Sequence, residues 1–286
     1  MRSVKRLFFS AAVGIAALAL SGIDPVLAQM PHEYQVSLQP PATPVMERLY
    51  DFHTLLVWII SAISVFVLGL LLYVIIRFRE SANPVPSRTT HHTLVEVVWT
   101  VVPVLILVVI AIPSLRILYY SDHVETADMT LKAIGHQWYW SYEYPDHGNF
   151  TFDSYMKPAE ELAAGEPRLL ATDTHIVLPV DTTIRLLITG GDVLHAWAMP
   201  AFGVKRDAVP GRINETWMRI EREGLYYGQC SELCGKDHAF MPITIEAVSK
   251  EKFQQWVTEA QTKFAKVDGT PPATLAAAAP SPTQSN

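Results

Sequence analysis

The sequence predicts a membrane-anchored all-β protein: a hairpin of two transmembrane helices followed by one β domain. Three observations carry this. Two uncharged apolar runs, Leu55–Ile76 and Val97–Leu115, lie in the first 120 of 286 residues. Beyond them, short runs rich in Val, Ile and Thr recur between Pro and Gly residues. No helix pattern alternates with these runs, which argues against a parallel α/β sheet and for a small antiparallel sandwich or barrel. Composition agrees. Half of the chain is apolar and 17% is charged, too apolar for a disordered protein, and 20 Pro and 7 Trp are too many for a plain helical bundle. The net charge of −6 argues against a nucleic-acid partner, and two cysteines exclude a disulfide-dense scaffold.

Residues 1–28 read as a secretory signal. Arg2, Lys5 and Arg6 form a positive start, Leu7–Leu20 is an uncharged run of 14 residues, and Val26-Leu27-Ala28 offers a small-residue cleavage site before Gln29. As a transmembrane helix that run is short, since a ~30 Å core needs roughly 20 residues. Removing the segment leaves 19 Lys+Arg against 27 Asp+Glu and an exported N-terminal segment at 29–54. Leu55–Ile76 is 22 residues without a charge, about 33 Å as a helix and enough to cross a bilayer. The second span, 97–118, contains Pro103 and Pro113, which transmembrane helices tolerate. The loop between them, 77–96, carries Arg77, Arg79 and Arg88, whereas Arg48 is the only Arg or Lys between Gln29 and the first span. The positive-inside rule therefore places the loop in the cytoplasm and both ends of the mature chain outside. Glu96, at the cytoplasmic mouth of the second span, is either a solvated interfacial carboxylate or a point of proton uptake.

The external domain is expected over 121–262. Residues 121–286 carry 14 Lys+Arg against 22 Asp+Glu. Strands are expected at Met129–Ile134, His175–Val180, Thr182–Thr189, Glu215–Ile220 and Met241–Val248. One late helix is expected, capped by Ser249, with Phe253, Trp256, Val257 and Ala260 on one face. Residues 267–286, mostly Ala, Pro, Thr and Ser, cannot bury a core and read as a disordered tail.

The chemistry concentrates in Gly228–Met241, where Cys230, Cys234, His238 and Met241 are spaced C-x3-C-x3-H-x2-M, with His195 upstream. Alone, the cysteine pair would read as a disulfide in an oxidising compartment. With His and Met at fixed spacing, it reads as a metal site. Soft sulfur with imidazole suits copper, zinc or an iron–sulfur centre. Structural zinc has no use for the thioether. A blue-copper site uses one Cys, two His and a weak Met. The second Cys points instead to two coppers bridged by both sulfurs, each with one His. Met241 is then a weak ligand to one, and a backbone carbonyl between the cysteines, where Glu232 lies, can serve the other. Such a centre suits electron transfer, with no open position for substrate.

At these residues the chain resembles cytochrome c oxidase subunit II, in a bacterial aa3-type form. The resemblance rests on Gly135-His-Gln-Trp-Tyr-Trp-Ser-Tyr-Glu-Tyr144, Asp192-Val-Leu-His195, Asp207-Ala-Val-Pro-Gly-Arg212 and Tyr226–Cys234 through His238 and Met241. Val95-Glu-Val-Val-Trp-Thr100 on the hairpin matches as well. The likeness spans residues 40–262. It implies a cupredoxin-like Greek-key barrel outside the hairpin, with a dinuclear copper centre at His195, Cys230, Cys234, His238, Met241 and the carbonyl of Glu232. It implies that the carboxylate of Glu232 reaches a magnesium ion shared with subunit I. Electrons would come from cytochrome c and pass to haem a of subunit I, which also holds haem a3 and copper B, for oxygen reduction coupled to proton translocation. Subunit III and membrane lipid are further implied partners, and the implied location is the bacterial inner membrane with the copper domain in the periplasm.

By the same resemblance, Trp138 is the aromatic that receives electrons beneath bound cytochrome c, although in Gln137-Trp-Tyr-Trp140 some rings must be core. Glu143, Asp173 and Asp192 match the acidic docking surface, and the acidic domain suits steering a basic partner. The chain departs from the pattern at Asn149, where many members carry an acid. Glu96 matches the carboxylate at the entrance of a proton channel. Three other classes are less consistent. A copper-delivery chaperone would lack the second His, Met241 and the second span. A quinol oxidase subunit would have lost the ligands. A nitrous oxide reductase would need a second catalytic domain.

Overall fold

The computed structural model describes residues 28–123 and 126–265. The expected leader, apart from Ala28, and the expected tail at 267–286 lie outside the described residues. A two-residue strand β1 (Ala28–Gln29) precedes helix α1 (Pro44–Arg77) and helix α2 (Thr93–Asp122). Thr43 caps α1, its hydroxyl accepting from Met46 N at 3.1 Å, and Pro44 occupies the first turn where no N–H is needed. His92 caps α2, which runs through Pro103 and Pro113. Both helices are long and apolar enough to cross a membrane, and their apolar side chains are exposed rather than packed into a core.

The remainder is a two-sheet β domain. Its strands are β2 (Met129–His136), β3 (Tyr139–Tyr144), β4 (Phe150–Ser154), β5 (Ile176–Pro179), β6 (Ile184–Gly190), β7 (His195–Met199), β8 (Val204–Ala208), β9 (Asn214–Met218), β10 (Gly224–Cys230) and β11 (Pro242–Val248). One sheet is ordered β5-β11-β10-β7-β8, with β1 beside β10, and the other is ordered β4-β3-β2-β6-β9. The all-β, cupredoxin-like expectation holds, but the sheets are mixed rather than purely antiparallel. β2 pairs with β6 in parallel, and β5 with β11. Parallel neighbours need long crossovers, which the chain supplies at 137–183 and 180–241.

Between the sheets lies one core. β2 alternates buried and half-buried residues along its whole length, whereas all five residues of β7 are buried. Trp140, Tyr142, Tyr144, Trp197 and Tyr226 are fully enclosed, and the Tyr144 hydroxyl donates to Val177 O at 3.0 Å. Ser249 caps helix α3 (Lys250–Lys263), which buries Phe253, Val257 and Ala260 against the sheets, with Trp256 half-buried. The hairpin is tied to the domain at its outer end. Trp217 Nε1 donates to Tyr120 O at 3.1 Å, Arg206 pairs with Asp122 at 2.8 Å, and the Thr43 hydroxyl donates to Phe202 O at 2.7 Å.

Candidate metal centre

Adjacent strands bring the sulfur and imidazole groups together. Cys230 ends β10 and Met241 immediately precedes β11, its antiparallel neighbour, so the connection doubles back on itself. Cys230 N donates to Met241 O at 3.2 Å across the base of the loop. On the other side of β10 lies β7, in a register that pairs Cys230 with Trp197 and places His195 beside the loop. A single 3-10 turn, His238–Phe240, returns His238 to the site.

Both cysteines are free thiols, with Sγ atoms 3.9 Å apart. His195 Nδ1 lies 3.9 Å from Cys230 Sγ, and His238 Nδ1 lies 3.5 Å from Cys234 Sγ. Met241 Sδ lies 3.5 Å from Cys234 Sγ, and the Glu232 carbonyl 3.4 Å from Cys230 Sγ. His195, Cys230 and Cys234 are buried and offer ligand atoms within 4.8 Å of one another, a group able to hold a metal ion. Met241 is also buried, His238 is half-buried and Glu232 is exposed.

Electrostatics favours one thiolate over two. Burial raises the Cys230 thiol, but hydrogen bonds from His195 and from the backbone outweigh it and bring it down to about 7. Burial and the neighbouring Cys230 charge push Cys234 up to about 12. A cation between the sulfurs would relieve that repulsion and hold both as thiolates. Two thiols, two imidazole nitrogens facing them, a thioether and a carbonyl form a soft donor set of the kind copper takes.

The surrounding residues orient these donors. Asp192 Oδ1 lies 2.8 Å from His195 Nε2, which turns Nδ1 toward the sulfurs. The same carboxylate accepts from Val193 N at 2.6 Å and Gln137 N at 2.7 Å. Burial opposes the charge on Asp192, but these bonds hold it below the ordinary carboxylate value. Burial also opposes protonation of His195, yet its contacts with Cys230 and Asp192 leave it raised. Gln137 Nε2 and Trp138 Nε1 both donate to Cys234 O, at 2.8 and 3.2 Å. Gly135 makes room for the His195 ring, because a Cβ there would meet its carbons at 2.8 and 2.9 Å.

Residues 129–248 match the family described as "Cytochrome C oxidase subunit II, periplasmic domain", and residues 31–117 match "Cytochrome C oxidase subunit II, transmembrane domain". A probable cytochrome c oxidase subunit 2 of Rickettsia prowazekii is 54% identical over 230 residues, covering 80% of this chain and 74% of that protein. Cytochrome c oxidase subunit 2 of Oenothera berteroana is 50% identical over 231 residues, covering 79% and 90%. The chain belongs to the cytochrome c oxidase subunit II family. A crystal structure of the periplasmic domain of subunit II of cytochrome oxidase from Bradyrhizobium japonicum is 57% identical, with a TM-score of 0.47, covering 50% of this chain and all of that one. Membership makes the chain a membrane-protein subunit of a haem–copper oxidase, one part of a larger oxidoreductase.

The other residues expected in a subunit II divide into those at the centre and those away from it. Trp138 is half-buried beside the centre, with the Lys236 ammonium 5.7 Å from its ring. Asp192 joins the centre through His195. Asp173 is exposed and accepts from Tyr155 N at 2.8 Å, next to a stack of His136, Tyr139 and Tyr155. Glu143 is half-buried and paired with Lys132 at 2.9 Å, so its charge is largely balanced. Glu96 lies in the first turn of α2, its carboxylate 3.4 Å from His92 N. Some 26 helical residues, about 39 Å, separate it from the domain-proximal end of α2 at Asp122. Sequence reasoning did not foresee that Gln137 and Gly135 serve the centre. The available signals were an amide next to Trp138 and a glycine interrupting an apolar strand.

Proposed function

We propose that this chain accepts electrons from cytochrome c at a dinuclear copper centre and delivers them to haem a of subunit I, for oxygen reduction coupled to proton translocation. The observation that carries it is the pair of free thiols 3.9 Å apart with a histidine nitrogen facing each sulfur. His195, Cys230, Cys234, His238, Met241 and the carbonyl of Glu232 would hold the metals. A copper pair bound here supplies one-electron transfer with little change of ligand positions.

The rest follows from the chain's own residues. Trp138 spans from the surface to the backbone of Cys234 through one hydrogen bond, a short route for an incoming electron. Asp173 and Asp192 offer negative charge to a basic donor, while Lys132 weakens the contribution of Glu143. Glu232 and the 77%-exposed Leu233 project from the loop, a surface that suits contact with subunit I and a shared magnesium at the Glu232 carboxylate. Glu96, on the far end of the hairpin, sits where a proton from the cytoplasm would enter. Subunit III and lipid complete the surroundings. The leader directs the β domain to the periplasm of a bacterial inner membrane.

Electron paramagnetic resonance of the copper-loaded chain tests the reading. Two equivalent coppers sharing one electron, each of spin 3/2, give about seven hyperfine lines, whereas a mononuclear site gives about four and would refute it.

A further inference from the structure

We propose that Trp140 is a positioning residue for His195: its indole sets the plane in which that imidazole meets the metal. The role rests on the copper reading. His195 starts β7, in one sheet, yet its ring crosses the core and bears on the other sheet. There it lies over Gly135, where a Cβ would meet the ring carbons Cδ2 and Cγ at 2.8 and 2.9 Å. Gly135 pairs directly with Trp140 across β2 and β3, so the indole rises on the same face of the sheet as the imidazole. The two rings are 6.0 Å apart between centroids and inclined at 61°, an edge-to-face contact. Both side chains are fully enclosed. Gly135 is thus a floor beneath the imidazole, and Trp140 is a wall beside it.

The imidazole needs such a wall. Asp192 Oδ1 holds Nε2 at 2.8 Å, and Nδ1 faces Cys230 Sγ at 3.9 Å. Contacts at the two nitrogens fix a line through the ring and leave its plane open. Tilt about that line is limited by the Cβ tether, whose torsions can adjust, and by whatever packs against the ring. Floor and hydrogen bond are themselves linked, since Gly191 N, next to Asp192, donates to Gly135 O at 2.8 Å. The indole adds a separate restraint, from β3. Without it, the ring has room to tilt off Gly135 toward that strand.

Core stability alone does not call for an indole here. Its Nε1 is buried and has no hydrogen-bond partner among the described residues, a cost that a phenyl ring would avoid. Tyr142 and Tyr144, further along the same face of β3, pack on Phe152 and Phe150 instead. What Trp140 adds is its contact with His195. Electron sharing between an imidazole nitrogen and a metal depends on how the ring is turned, so a neighbour that sets the tilt tunes the centre without being a ligand.

The test compares the full-length wild-type chain with Trp140→Phe and with Tyr144→Phe, which removes the core hydrogen bond to Val177 O. In the metal-free chain, labelled at His, Gly and Trp, nuclear magnetic resonance is expected to show a cross-peak between the His195 Cδ2 proton and the Gly135 α-protons, lost in Trp140→Phe. After copper loading, the His195 nitrogen coupling in electron–nuclear double resonance is expected to shift and the midpoint potential to move, with the His238 coupling and the copper content kept. Tyr144→Phe is expected to lower the thermal midpoint and leave these readouts at wild-type values, as loss of core packing alone would. A Trp140→Phe chain that keeps the cross-peak, the nitrogen coupling and the potential overturns the proposal. If that variant does not fold, the wild type decides, and absence of cross-peaks from the His195 ring to both Trp140 and Gly135 overturns it. Failure of the copper reading shows separately, as a mononuclear wild-type spectrum, and the metal-free comparison then decides the role of Trp140.

Discussion

Replacing Asp192 with Asn separates two roles for one carboxylate. If Asp192 serves only to attract cytochrome c, the substitution changes the salt dependence of the reaction and leaves the metal centre alone. The structure predicts more. The carboxylate accepts three N–H groups, from His195, Val193 and Gln137, at 2.6 to 2.8 Å. Asn keeps one acceptor oxygen, adds a donor and loses the charge. A hydrogen bond to a charged acceptor is worth about 1.5–3 kcal/mol, against about 1 kcal/mol for a neutral one. Positioning of the imidazole therefore weakens by about 1–2 kcal/mol, or roughly 5- to 30-fold in copper affinity. Since 35% of the Asp192 side chain is exposed, solvent screens part of this and the lower half of the range is expected. Competition with a chelator measures the affinity. The nitrogen-15 spectrum of the metal-free imidazole gives an independent readout, because the tautomer with the proton on Nε2 loses its carboxylate partner. Unchanged affinity together with an unchanged imidazole spectrum would sink the positioning role, whatever happened to the salt dependence.

Gly135→Ala is expected to expel copper without unfolding the domain, since the new methyl would meet the His195 ring at 2.8 Å; a normal copper content would show that the ring can move aside. Gly228→Ala is expected to be far more damaging, with thermal unfolding of the chain as the measure, because its Cβ would lie 2.0 Å from the Ala198 carbonyl between two paired strands. Trp138→Phe should slow reduction by cytochrome c in stopped-flow while leaving its binding nearly intact; wild-type rates would assign the ring to packing. Asp173→Asn should reduce the salt slope of that reaction more than Glu143→Gln, since Lys132 already balances Glu143. Equal slopes for the two variants would refute that reading of the surface.

Much of this architecture is legible in residue order, because the local signals and the final structure agree. The two uncharged runs became α1 and α2, and Ser249 caps α3. Strands β2, β6 and β11 follow their Val, Ile and Thr content. The strands nearest the centre were hidden. β7 reads His-Ala-Trp-Ala-Met and is buried at every position, so no alternation marks it. β10 opens on Gly224 and contains Gly228, residues that argue against a strand until one sees Gly228 packed against the Ala198 carbonyl. The parallel pairing of β2 with β6, and of β5 with β11, depends on contacts across long connections, and no local pattern encodes it. The same division holds at the metal centre. Ligand types and spacing are sequence properties, so His195, Cys230, Cys234, His238 and Met241 could be singled out. Hydrogen bonds from Gln137 and Trp138 to Cys234 O cross 97 and 96 positions of chain and belong to the fold.

Those long-range bonds close a ring. Asp192 holds His195 on one side and the backbone of Gln137 on the other. Gln137 holds the carbonyl of Cys234, Cys234 faces Cys230 across 3.9 Å, and Cys230 faces His195. The Cys230 corner is also anchored to β7 and to the base of the loop, through Ser231 N to Ala196 O at 3.0 Å and Cys230 N to Met241 O at 3.2 Å. A centre whose task is to gain and lose one electron is served by ligands that need not move when its charge changes, and a closed ring opposes such movement better than separate ligands would. The ring also ties a partly exposed carboxylate to the sulfurs. Substitutions at Asp192 and Gln137 should therefore not add. Each opens the same ring, so the double variant should lose less copper affinity than the sum of the single losses, whereas strict additivity would mean that the two residues support the centre independently.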